Sequence, residues 1–83
     1  MKNYMGYLWR RPGGATYFLV NPEDAKELSS SPGWRRMEVD QGWWIGAIIP
    51  DNEKWRAPTI PKGKRVYAEA EINENGWIRS IQN

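Results

Sequence analysis

The sequence predicts an α+β domain that is mostly β. Five to six antiparallel strands, built from three hairpins, would form a rolled sheet or small barrel with one short helix over residues 22–30. Three observations carry this. Short apolar segments rich in Val, Ile, Tyr and Trp recur along the chain, each bounded by Gly, Pro or Asn. One of them, RVYAEAEI at 65–72, alternates strictly. Helix-start chemistry is legible at one place alone. An open sheet with the helix on one face is the other arrangement compatible with this order. The 83 residues suit a single domain, 1–83.

Residues 4–10 (YMGYLWR) and 15–20 (ATYFLV) read as the first hairpin. Between them Arg11-Pro12-Gly13-Gly14 suits a type II turn, with Pro at i+1 and Gly at i+2. Asn21-Pro22-Glu23-Asp24 then offers a capping side chain, a proline at the first helical position and two acids at the positive end of the helix dipole. Ala25 and Leu28 are the helix's apolar anchors, and Ser29-Ser30-Ser31-Pro32-Gly33 ends it. Residues 34–39 and 43–49 form the second hairpin around Asp40-Gln41-Gly42, with Gly42 expected at positive φ in a bulge. Residues 50–64 hold three prolines and read as a long connection, which Trp55 and Ile60 would pin to the body. In 65–72, Val66, Ala68, Ala70 and Ile72 point one way and Arg65, Tyr67, Glu69 and Glu71 the other. Asn75-Gly76 turns the chain into 77–82. The segment EVDQGWWI at 38–45 echoes EINENGWI at 71–78, which suggests shared turn chemistry.

Composition removes several function classes. With no Cys and no His there are no disulfides, no thiolate or imidazole zinc ligands and no Ser-His or Cys-His nucleophile pairs. Net charge is +2, and residues 1–20 carry Lys2, Arg10 and Arg11 without an acid. No apolar run approaches the roughly 20 residues that span a bilayer. No secretory leader is legible, so the expectation is a cytoplasmic protein without membrane contact. Gly13-Gly14-Ala15-Thr16 leads into a strand and lacks the lysine of a phosphate loop. Glu69 with Glu71, and Asp51 with Glu53, read as solvated acids rather than catalytic or calcium-binding pairs. Ser29 to Ser31 have no base within sequence reach. No enzyme activity, metal or cofactor is expected.

The distinctive feature is aromatic content: six Trp, four Tyr and one Phe. Trp43-Trp44 and Tyr17-Phe18 are adjacent in strands and so face opposite sides, which requires cover on both. A helix of nine residues is only about 14 Å long and cannot supply that cover. The sheet therefore rolls on itself, pairs with a second copy, or leaves an aromatic face for a partner.

Trp and Arg are typical of interface hot spots. The function expected is therefore a small non-enzymatic binding protein, an inhibitor or accessory factor docking on a larger protein or nucleoprotein. Its partner-binding candidates are Trp9, Arg10, Arg11, Trp34, Arg35, Arg36, Trp44 and Trp55. The alternative is binding of single-stranded nucleic acid or a nucleotide-like ligand, with Tyr4 and Tyr7 stacking on bases and Lys62, Lys64 and Arg65 meeting phosphates. A homodimer through the uncovered face is the third candidate.

Overall fold

The computed structural model describes residues 1–50 and 60–83. Among these the strands are β1 (Lys2–Arg10), β2 (Thr16–Val20), β3 (Arg35–Val39), β4 (Gly42–Ile48), β5 (Arg65–Ile72) and β6 (Ile78–Gln82). They form one antiparallel sheet in the order β3-β4-β2-β1-β5-β6. Three hairpins thus lie side by side, the N-terminal one in the middle. Two long-range seams join them: β2 with β4, and β1 with β5.

The sheet is open, not a barrel. Its edges, β3 and β6, do not pair. Trp34, just before β3, stands where closure would need backbone bonds. Its indole N–H donates to the Gly76 carbonyl, in the turn that leads to β6, at 2.6 Å. A groove of about 270 Å³ remains beside it, lined in part by Pro32, Trp34, Pro50 and Trp77. The exposed Arg35, Arg36 and Glu38 put charge on the β3 edge, which discourages pairing with another chain.

Strand alternation divides the side chains between two faces. The inner face carries Tyr4, Leu8, Phe18, Val20, Ile45, Ala47, Ala68, Ala70 and Ile72, packed with Ala25, Leu28, Trp34, Ile49 and Ile60. The clean alternation of 65–72 is realised: Ala68, Ala70 and Ile72 are buried while Tyr67 is exposed.

The helix takes a different form from the one expected over 22–30. It is a 3₁₀ turn, Lys26–Ser30. Asn21 closes a separate turn before it. Its Oδ1 accepts the Glu23 N–H at 2.8 Å and its carbonyl accepts the Asp24 N–H at 3.0 Å. Ala25, at φ −138° and ψ 43°, then breaks continuity. The Ser29 hydroxyl donates to the Lys26 carbonyl at 2.6 Å, so the serines compete for the acceptors a longer helix would use. Ala25 and Leu28, both buried, are three residues apart, which is the 3₁₀ period.

The turns also differ in detail. In the first, the positive φ lies at Gly14 (113°) and not at Gly13, so the turn is not type II. The Gly14 N–H donates to the Arg11 carbonyl, and the Arg11 N–H to the Ala15 carbonyl. The β5–β6 turn repeats this pattern: Gly76 N–H to Asn73, and Asn73 N–H to Trp77, with Gly76 at φ 85°. A left-handed glycine after a turn gives flanking strands their natural twist. The β3–β4 turn is another type. Its two central residues, Asp40 (φ 52°) and Gln41 (φ 65°), are both left-handed and Gly42 is not. The echo between 38–45 and 71–78 is therefore one of sequence, while the shared geometry lies between the first and third hairpins.

Candidate functional site on the outer sheet face

Opposite the core, the outer face presents Met5, Tyr7, Trp9, Tyr17, Leu19, Met37, Trp44, Ile48, Arg65, Tyr67, Glu69 and Glu71 in register. One cross-strand row runs Arg35, Gly46, Leu19, Tyr7, Tyr67. The next runs Met37, Trp44, Met5, Glu69. Leu19 is fully buried without belonging to the core cluster. Gly46 makes this possible, because a Cβ there would lie 2.8 Å from both Leu19 Cδ2 and Met37 Sδ.

Around Leu19 the rings meet edge to face. Tyr7 lies 5.6 Å from Trp44 and 5.4 Å from Tyr67, centroid to centroid, both near perpendicular. Such contacts stabilise by about 0.5–1.5 kcal/mol each beyond simple burial. Trp9 and Tyr17 form a second, tilted pair at 5.9 Å. The Arg65 guanidinium reaches over this cluster, 5.2 Å from Tyr7 and 5.9 Å from Trp44, and donates to the Asp40 carboxylate at 3.0 Å. The Trp44 indole N–H is buried and finds no acceptor among the described residues. No described element covers this face: Met5, Ile48 and Tyr67 are 49%, 57% and 57% exposed.

The partner-binding candidates scatter. Trp9, Trp44 and Arg35 belong to the outer face. Arg11 is exposed beside it, with Nη1 3.4 Å from the Tyr17 hydroxyl. Arg10 is occupied structurally, donating from Nε to Gly14 and from Nη1 to Ile60. Trp34 is core, 7% exposed and edge-on to Phe18. Arg36 is on the inner side of β3, its guanidinium 4.4 Å over the exposed Trp43. Trp55 lies outside the described residues.

Of the nucleic-acid candidates, Tyr7 and Arg65 share the outer face, while Lys62 and Lys64 are exposed at the turn before β5. Tyr4 is buried on the inner face and donates from its hydroxyl to Glu27 at 2.6 Å. Burial, then that bond and the Glu27 charge, push its hydroxyl up to about 12. The Tyr4 hydroxyl, Glu27's own backbone N–H and Lys2 hold Glu27 down at about 2.

Sequence reasoning missed Met5, Tyr17, Met37, Ile48 and Tyr67 as members of this face. The signal was parity: residues at even spacing in paired strands share a side. Asp40 carried no signal at all, because its role depends on a residue 25 positions away.

Among the described residues, no group of His, Cys, Asp or Glu is arranged to hold a metal ion, and no helix is long and apolar enough to cross a membrane. No family model, no curated protein and no solved structure matches this chain.

Proposed function

We propose that this chain is a non-enzymatic protein-binding module that docks through the outer sheet face. The observation that carries the reading is an aromatic and Arg-bearing sheet face left without cover by the described residues. Exposed apolar patches of this kind mark interaction sites. Tyr, Trp and Arg are the side chains that anchor such contacts. The complementary partner is a protein surface apolar at its centre, with carboxylates facing Arg35 and Arg65 and a cation facing Glu69 and Glu71.

Single-stranded nucleic acid suits the face less well. Glu69 and Glu71 share it and repel phosphate, and Tyr4 is unavailable for stacking. The expectation is no oligonucleotide gel shift at low salt with micromolar protein.

The test compares two sites. Tyr67→Ala combined with Met5→Ala is expected to abolish partner capture while the far-ultraviolet spectrum stays unchanged. Trp77→Ala, which removes an exposed ring elsewhere, leaves capture intact. A photo-cross-linker at position 67 reacts with the partner and one at 77 does not. Capture indifferent to Tyr67 and Met5, or cross-links arising at 77 alone, would remove the proposal.

A further inference from the structure

Charge along β5 is polarised on the outer face: Arg65 at one end, then Tyr67, then Glu69 and Glu71. Arg35 adds positive charge in the row of Tyr67, while Met5 and Trp44 share the row of Glu69. A face with a cation at one end and carboxylates at the other is complementary to itself after a half-turn. We infer that the occupant of this face is a second copy of the chain, related by a two-fold axis that lies between the sheets and crosses β5 at Ala68. The inference rests on the outer face being a docking surface and names its partner.

The register makes the consequence specific. The half-turn lays each strand over its own copy in the opposite direction. Arg65 then meets the second copy's Glu71, and Tyr67 its Glu69. Trp44 falls opposite Gly46, over which Leu19 and Met37 of the second copy already close. Met5 falls opposite Tyr7. Aligned stacked sheets cross at about 30° and lie about 10 Å apart, within the reach of an arginine at this distance from the axis.

Size agrees. The chain measures 31 × 30 × 19 Å between Cα extremes, so its shortest dimension is well below the other two, and the described residues leave one broad side without cover. A side of that span offers on the order of 800 Å², what each partner contributes to a stable interface of standard size. Two-fold packing also supplies a cover that the described residues of one copy do not give Met5 and Tyr67, and two-fold dimers are the commonest closed assemblies of identical chains.

Charge reversal tests this on the whole protein by sedimentation velocity at high micromolar concentration. Wild type is expected to sediment as a dimer. Arg65→Glu alone sets Glu against Glu71, and Glu71→Arg alone sets Arg against Arg65. Each should weaken dimerisation by more than about tenfold. An equimolar mixture of the two variants restores both ion pairs and is expected to dimerise again, which a folding defect could not produce. Monomeric wild type, or a mixture that stays monomeric, overturns the second copy as occupant. Docking on a different protein would still stand if the position-67 cross-linker captured one.

Discussion

Arg65 and Asp40 are joined by a 3.0 Å bond that ties β5 to the β3–β4 turn above the Tyr7 and Trp44 rings. The pair is solvated, with the two side chains 38% and 68% exposed. Its net stabilisation is therefore small, and its structural effect is to hold a cation over aromatic faces. Asp40→Asn keeps a side chain that tolerates left-handed backbone while removing the charge. It should lower stability by less than about 1 kcal/mol. Freed Arg65 should change the Trp44 emission spectrum, measured against a Trp44→Phe background.

Asp40 and Gln41 occupy left-handed backbone without being glycine. That conformation costs about 1–2 kcal/mol per residue, and the second central position of such a turn favours Gly strongly. Gln41→Gly should therefore raise stability by about 0.5–1 kcal/mol after the added flexibility of the unfolded chain is subtracted. Urea unfolding is expected to show a higher midpoint with an unchanged slope.

Two indoles separate by what their N–H groups do. That of Trp34 donates to Gly76 at 2.6 Å, whereas that of Trp44 has no acceptor among the described residues. Trp34→Phe leaves a carbonyl short of its donor in a buried place and should cost about 1–3 kcal/mol. Trp44→Phe should cost less, because it removes a buried donor that makes no bond to any described residue. Thermal melts of the two variants side by side check the order.

The Tyr4–Glu27 bond predicts acid sensitivity. Glu27 has its folded value at about 2, below the usual 4.5, so its contribution is present above pH 4.5 and fades as pH falls toward 2. Tyr4, pushed up to about 12 from 10, contributes below pH 10 and loses that contribution as pH rises through 12. In Tyr4→Phe both slopes should flatten. Stability against pH, read by denaturant midpoint, measures it.

Gly6 sits beneath Phe18, where an added Cβ would fall on the Leu19 carbonyl oxygen. Gly6→Ala must push β1 from β2 at the centre of the sheet and should cost about 3 kcal/mol or more, as overpacking of a close backbone contact does. Lost cooperativity in the thermal transition is the readout.

Strands and their pairing within hairpins were legible because each rests on local pattern. Val66 to Ile72 alternate, and the glycines mark the bends. The surplus of rings over cover was legible too, since Trp43-Trp44 cannot both face one side. Less legible was anything set by residues far apart. Trp34 and Trp44 look alike in sequence, yet one meets Gly76 in the core and the other lies on the open face. The three serines after Leu28 read as a helix stop, but their hydroxyls also shorten the helix by taking its carbonyls. Arg10 reads like Arg11 until its guanidinium is found bonded to Gly14 and Ile60.

The strand order has a consequence for how the chain assembles. Eight residue pairs join β1 to β5, from Lys2 with Ile72 to Trp9 with Arg65. The middle of the sheet thus waits for the last third of the polypeptide. Each hairpin can zip locally in microseconds, but union of the first with the third must close a loop of most of the chain. During synthesis on a ribosome, Tyr4 and Leu8 lack their β5 neighbours, Ala70 and Val66, until residues 65–72 emerge.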